Sequence, residues 1–427
     1  MKIFPLFICL LFATAIISQT TSLISGTDLS NWEQRGGSAR YQLQDGVIIG
    51  TSVRDAQNTF LCTKAEYGDF ILTFEVKQDP GINSGIQIRS ESRSDYQNGR
   101  VHGYQVELDQ SLQRLWTGGI YDEGRRGWLY PLTRNKKGQE AYVLGAWNQI
   151  RIEAIGPHIR TWVNGIQCAN LVDRLTAKGF IALQVHGIGR NESPGKQVRW
   201  RNLQIRTEDL EQHRWPVQAY APEISHLTNQ LTEAEESQGW RILWDGKTMD
   251  GWSAQPPSAC TLEEDCLALT GQSKLLYQQG LSDFELRFDI RFTEATRTAS
   301  MRYGNRQGAD LGMVLLDRTN EQAAGSLAGL IPSKNLSEPE NTNLRFSAQN
   351  GWNRVRIVVR EGQVEHWLNQ IKVVTYDLNG QTFQALLNQA GFQSDRAIDD
   401  TAAGSFYLSF ETVGPVEIRS VAVREKR

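Results

Sequence analysis

The sequence predicts an all-β protein built from two tandem copies of one β-sandwich. Three observations carry that reading. Short runs rich in β-branched and aromatic residues follow one another with turn signals between them, and no convincing amphipathic helix interrupts the set in the first half. The second half repeats the first: GDFILTFEVK at 68–77 returns as SDFELRFDIR at 282–291, and GAWNQIRIEA at 145–154 returns as NGWNRVRIVV at 350–359. At 427 residues the chain is also too long for a single ordinary core.

Residues 1–22 read as a signal peptide. Lys2 precedes an apolar run from Ile3 to Ile17, and small polar residues follow from Ser18 to Ser22. The run is too short to span a membrane comfortably. The expected mature protein is exported, secreted or periplasmic, without membrane insertion after cleavage.

The first sandwich is expected over 23–206. YQLQDGVIIG reads as a hairpin around Asp45-Gly46, and DFILTFEVKQ puts Phe70, Leu72, Phe74 and Val76 on one face. In GIQIRS, Ile86 and Ile88 turn inward while Gln87 and Arg89 turn outward. In GYQVELD, Tyr104, Val106 and Leu108 alternate with Gln105, Glu107 and Asp109. A loop dense in Gly, Trp, Tyr, Arg and acid runs on to Tyr130. After it come WNQIRIEAIG, HIRTWVNGIQCANL with a strong Asn164-Gly165 turn, FIALQVHG and VRWRNLQIR. Residues 207–239 read as a linker in which Thr232 and Glu235 form a capping box that opens a short helix. The second sandwich is expected over 240–427.

Charge is nearly balanced, with a formal net charge of −3, which favours neither nucleic acid nor an anionic membrane surface as a partner. The 12 Trp are more telling, because exposed Trp stacks on sugars, although most are expected in the cores. Cys62, Cys168, Cys260 and Cys266 follow the leader. Cys260 and Cys266 bracket TLEED and could pair across a hairpin; Cys62 and Cys168 read as buried thiols. Without a CxxC or a Cys/His cluster, structural zinc is disfavoured.

Three strands of the first copy set polar residues opposite an apolar alternation: Gln87 and Arg89; Gln105, Glu107 and Asp109; Gln184 and His186. A solvated sheet face is the plain reading. Amide, guanidinium, carboxylate and imidazole together point instead to a ligand. The repeat serves as a control: by eye, Gln105 becomes Met313, Glu107 becomes Leu315, Gln184 becomes Ser409 and His186 becomes Glu411. Folding alone would have kept the polar set in both halves. His102, Trp116, Tyr121, Asp122, Arg125 and Trp128 are further candidate sugar contacts. Alternatively, the aromatic residues pack the loop onto the sandwich, and Arg125 and Arg126 neutralise Asp122 and Glu123.

Taken together, SGIQIRS, GYQVELD, TGGIYDEGRRGWL, WNQIRI, VNG, IALQVHG and VRWRNLQIR resemble the 3-keto-disaccharide hydrolase domain family over roughly residues 25–206. GWRILWDGKTMDGW extends the resemblance to the second copy, which departs from it where the polar residues are lost. The resemblance implies concanavalin A-like jelly-roll sandwiches, a carbohydrate substrate and work outside the cytoplasm, on glycosides whose C3 is oxidised to a ketone. Such a ketone acidifies the C2 proton, so a base can expel the C1 substituent and water can add back. The expected catalytic residues are Glu107 or His186 as base, with Arg89 and Gln105 or Gln184 stabilising the enolate oxygen. Gln87 and Asp109 are expected to help bind the sugar. Ordinary two-carboxylate hydrolysis would use Glu107 and Asp109, whose Cα atoms are about 6.6 Å apart along a strand. The E-x-D-x-x-E pattern of related glucanases, however, ends here on Leu112. No cofactor is predicted. A divalent cation could be held by Glu107, Asp109 or His186, but no spacing demands one. A lectin-like, non-catalytic sugar binder is the alternative from a different class.

Overall fold

The structure is a computed structural model that describes residues 20–54, 56–304, 311–320, 322–333, 346–391 and 406–425. The expected leader lies outside these except for its last three residues, of which Thr21–Ser22 pairs with the Gln197–Arg206 strand.

The protein is all-β, with two jelly-roll sandwiches in tandem. Among the described residues, the first has a nine-stranded sheet facing a seven-stranded one, and the second an eight-stranded sheet facing a five-stranded one. The Phe70–Gln78 strand sits inside the nine-stranded sheet between Asn148–Ile155 and Gln197–Arg206. Its alternation sends Phe70, Leu72, Phe74 and Val76 into the core. They meet Ile86, Ile88, Tyr104, Val106, Leu183 and Val185, contributed by the seven-stranded sheet. Two tight hairpins fix the register: Asp45-Gly46 (φ 50° and 75°) and Asn164-Gly165 (φ 49° and 82°) both hold the left-handed conformation that a two-residue type I′ turn demands.

The seven-stranded sheet carries the polar residues. Its order is Gly127–Tyr130, Ile120–Glu123, His102–Leu108, Ser84–Glu91, Gly179–Val185, Thr59–Tyr67 and Trp32–Gly36.

The segment between the sandwiches is ordered against both. Ile224–Ser225 pairs in parallel with Ile166–Val172 and becomes an edge strand of the nine-stranded sheet. The Tyr130 hydroxyl donates to the Pro222 carbonyl (2.7 Å). Thr232 and Glu235 form a reciprocal capping box on the short helix Glu233–Ser237, and Glu235 is ion-paired with Arg287 of the second sandwich. A longer helix, Gln381–Gln389, buries Phe383 and Leu387 on one face of the second sandwich. None of the described helices is long and apolar enough to cross a membrane.

The cysteine hairpin differs from expectation. Cys260 lies opposite Leu269 and Cys266 opposite Glu263, so the two thiols are not register partners, and both are free. The Cys260 Sγ lies 3.9 Å from the Met249 sulfur instead. Cys62 and Cys168 are buried and free, and burial pushes both thiols up to about 12.

Candidate active site

The alternation of GYQVELD fixes the centre of the site. Tyr104, Val106 and Leu108 enter the core, so Gln105 and Glu107 project from the other face of the sheet. That face is not solvated: Gln87, Gln105, Glu107 and Gln184 are all buried. Phe60, Cys62, Val101, Phe180 and Ala182 form an apolar patch on the neighbouring strands.

A directed hydrogen-bond relay crosses two strands. The Ser90 hydroxyl donates to Gln87 Oε1 (2.7 Å), Gln87 Nε2 to Gln105 Oε1 (2.6 Å), and Gln105 Nε2 to Glu107 Oε2 (2.8 Å). The relay orients the Oε2 oxygen of the Glu107 carboxylate. Burial, helped by the nearby Asp109 charge, pushes the Glu107 carboxyl up to about 7, although Gln105, Asn83 and Arg114 pull the other way. A carboxyl poised near neutrality can take and return a proton.

Across the sheet, Glu107 lies opposite Gly85, and Gly85 opposite Gln184. Gly85 has a specific job. A Cβ there would sit 2.4 Å from Gln105 Cδ, so only glycine lets the Gln105 side chain lie across the strand. Gln184 is fully buried, and neither its amide oxygen nor its nitrogen has a partner among the described residues. Stranding a buried amide in this way costs about 1–3 kcal/mol, so a group that supplies partners for it is expected to bind there.

Several sequence candidates sit elsewhere. Arg89 was expected on this face, but a bulge between Ile88 and Glu91, with Arg89 at φ 45°, turns its side chain away. Its buried guanidinium donates to the Gly68 and Gly156 carbonyls and to Asp69, each at 2.8 Å, clamping two turns of the structure. His186 lies beyond the end of its strand, is exposed, and has Nδ1 2.7 Å from the Gly187 carbonyl oxygen. Asp109 is ion-paired with Arg114 (2.9 Å) and accepts from the Ser111 amide (2.9 Å), which occupies the second carboxylate that ordinary glycoside hydrolysis would need. His102 stacks on Tyr96 (4.0 Å between centroids), with Nε2 3.4 Å from Glu91.

The aromatic loop packs rather than opens. Trp128 meets Trp116 and Tyr121 edge to face, with centroids 4.7 and 5.3 Å apart, and all three are buried. Only Tyr121, opposite Gln105, borders the polar row. Asp122 pairs with Tyr104 on the core side, where it binds Arg125 (2.7 Å) and Arg126 (2.5 Å). Arg126 continues to Asp173 (2.8 Å), which also takes the Tyr104 hydroxyl. Sequence reading missed Asn83, Gly85, Ser90 and Arg114. Of these, Ser90 and Gly85 stand in the same SGIQIRS string as Gln87. Among the described residues there is no group of three or more His, Cys, Asp or Glu that could hold a metal ion.

The sequence pattern of the 3-keto-alpha-glucoside-1,2-lyase-like domain matches residues 19–206 and again 239–424. The chain belongs to that family. A 3-keto-disaccharide hydrolase of Bacteroides thetaiotaomicron is 22% identical over 200 residues, covering 38% of this chain and 66% of the relative, so the chain spans just under two thirds of that protein. A Parabacteroides distasonis protein assigned to the glycosyl hydrolases aligns over 47% of this chain and 100% of its own at 16% identity and TM-score 0.38. The Bacillus subtilis carbohydrate-binding module CBM66 aligns over 41% and 95% at 12% identity and TM-score 0.27.

The second family domain has lost the site, but not at the positions read by eye. Leu61 and Leu275 hold the same place before the shared Asp-Phe pair, opposite Leu183 and Phe410. That register equates Gln184 with Glu411, Gly85 with Ser300 and Glu107 with Val314. Met313 and Leu315 are core residues. The carboxylate is therefore replaced by an aliphatic side chain, and Glu411 is held by Lys274 (2.8 Å) and Arg302 (3.2 Å) in a cleft of about 660 Å³.

The unpartnered amide makes a direct prediction. Gln184→Leu keeps the shape and removes the buried polar group, so stability in urea is expected to hold or rise by about 1 kcal/mol. Activity is expected to fall at least tenfold in kcat/KM. Unchanged kinetics would mean that Gln184 does not meet the substrate.

Proposed function

We propose that the first domain cleaves 3-keto-glycosides, with Glu107 as the base. The observation that carries this is a buried carboxyl raised to about 7, in one row with an amide that has no partner among the described residues. The family's description as a 1,2-lyase-like domain supports the same chemistry. The Glu107 carboxylate takes the C2 proton, and the electron pair moves onto the C3 oxygen as an enolate. The Gln184 amide N–H stabilises that oxygen in place of the arginine expected from sequence. The enolate re-forms the ketone as the C1–O bond breaks, and the departing oxygen takes the proton that Glu107 carries. Water can then add across C1 and C2, giving net hydrolysis. The apolar leader at Ile3–Ile17 supports an exported, secreted or periplasmic enzyme.

The test is to incubate the full-length protein with 3-keto-glucosides and with their unoxidised parents. Release of the aglycone from the keto sugars alone is the expected result. Equal release from both would point to ordinary hydrolysis. Saturable binding without release would overturn the enzyme reading in favour of a lectin.

A further inference from the structure

A cavity of about 250 Å³ lies between the two domains, far roomier than the roughly 30 Å³ that one water occupies. Arg134 lines it from the first domain, in the short turn Leu132–Arg134. The preceding residue is tied across the interface, since the Thr133 hydroxyl donates to the Gln370 carbonyl (2.9 Å). The second domain lines the cavity with further arginines that are already engaged. Arg287 pairs with Glu235, and Arg354 with Asp289 (2.7 Å). Arg356 and Arg424 must share a single carboxylate, that of Glu285.

Two donors are left over. Arg134 has no hydrogen-bond or ion-pair partner among the described residues. Arg356 Nη1 is buried and has no acceptor among the described residues. Glu223 also lines the cavity, but its carboxyl accepts from the Thr232 hydroxyl (2.5 Å) and makes no ion pair among the described residues. An unpaired guanidinium facing others in a confined space is costly unless an anion joins them.

We infer that this cavity is an oxyanion site, in which a phosphate, sulfate or sugar carboxylate bridges Arg134 of the first domain to Arg356 of the second. Guanidinium groups bind such oxygens in pairs, and closure from both sides makes the anion a clamp on the domain interface. Burial beside Arg356 and Arg424 already pulls the Arg134 guanidinium down to about 10, and a bound anion relieves that strain.

The experiment is scanning fluorimetry of the full chain in sodium phosphate, sodium sulfate and sodium glucuronate, each against sodium chloride at matched ionic strength. At ten times Kd the expected rise in Tm is about 3 °C. The anion giving the larger rise separates a mineral oxyanion from a sugar acid. Arg134→Met is expected to abolish the rise, and Arg134→Lys to keep part of it. No rise beyond chloride with any of the three, or an equal rise in Arg134→Met, overturns the inference. Should Arg134→Met fail to fold, a crystal structure of the natural chain grown in sulfate decides: density for the anion between Arg134 and Arg356 supports the site, and water or a direct Arg134–Glu223 pair refutes it.

Discussion

Glu107→Gln is expected to lower kcat on a 3-keto-glucoside by about 10²–10⁴-fold, the range of general-base catalysis. The amide keeps the size of the side chain and can still accept from Gln105, which reaches Glu107 Oε2 at 2.8 Å, so the site should keep its form. Only the proton acceptor is lost. The natural protein's turnover of that substrate is expected to rise with pH as the carboxyl ionises near 7.

The same substitution should change stability in the opposite sense. The buried carboxyl is raised from its ordinary value near 4.5 to about 7. Between these values the folded state keeps a proton that the unfolded state releases. The stability that Glu107 lends is therefore full below pH 4.5 and lost as pH rises through 7. The loss is on the order of 3 kcal/mol. Glu107→Gln removes this slope, so it should match the natural protein near pH 5 and exceed it at pH 8. Urea unfolding at the two pH values measures the difference. A variant that keeps near-normal turnover, or that loses stability at pH 8, would remove Glu107 from the role of base.

Arg89→Met is expected to cost roughly 2–4 kcal/mol of stability, because three charge-assisted hydrogen bonds disappear from a buried guanidinium. The bonds tie the Gly68–Asp69 turn to the Gly156 turn, joining the two sheets at one end of the sandwich. Methionine retains much of the apolar stem, which isolates the loss of the head group. Turnover per folded molecule should stay within about threefold. A fall in kcat of the size expected for Glu107→Gln, in protein shown to be folded, would return Arg89 to the catalytic set.

How far the sequence could be read follows from period and register. The alternation in GYQVELD and FIALQVHG is sufficient to set Gln105, Glu107 and Gln184 on the face away from the core, because period 2 separates faces without knowledge of the neighbours. Arg89 belongs to the same pattern but escapes it, since a bulge is set by how two strands meet and leaves little trace in one of them. The repeat comparison failed for a related reason. On the middle strand it slips by one, which exchanges core for surface, so Leu315 is read where Val314 stands, and on the Gln184 strand it slips by two, so Ser409 is read where Glu411 stands. For Trp116, Tyr121 and Trp128, composition alone does not distinguish an open sugar platform from rings packed on one another. The unpaired state of Gln184 depends on every strand around it, and no local string encodes it.

The two-residue strand Ile224–Ser225 has a consequence for how the chain is made. By pairing with Ile166–Val172 it covers backbone donors and acceptors that would otherwise face outward at the edge of the nine-stranded sheet. Bare edges of this kind recruit other chains and seed aggregation. A first sandwich emerging during synthesis has all its own strands by Arg206, yet its edge stays open until Ser225 follows. The stretch between the domains thus also works as a guard, and a first domain cut off at Arg206 would be more prone to self-association than one carried through to Leu227.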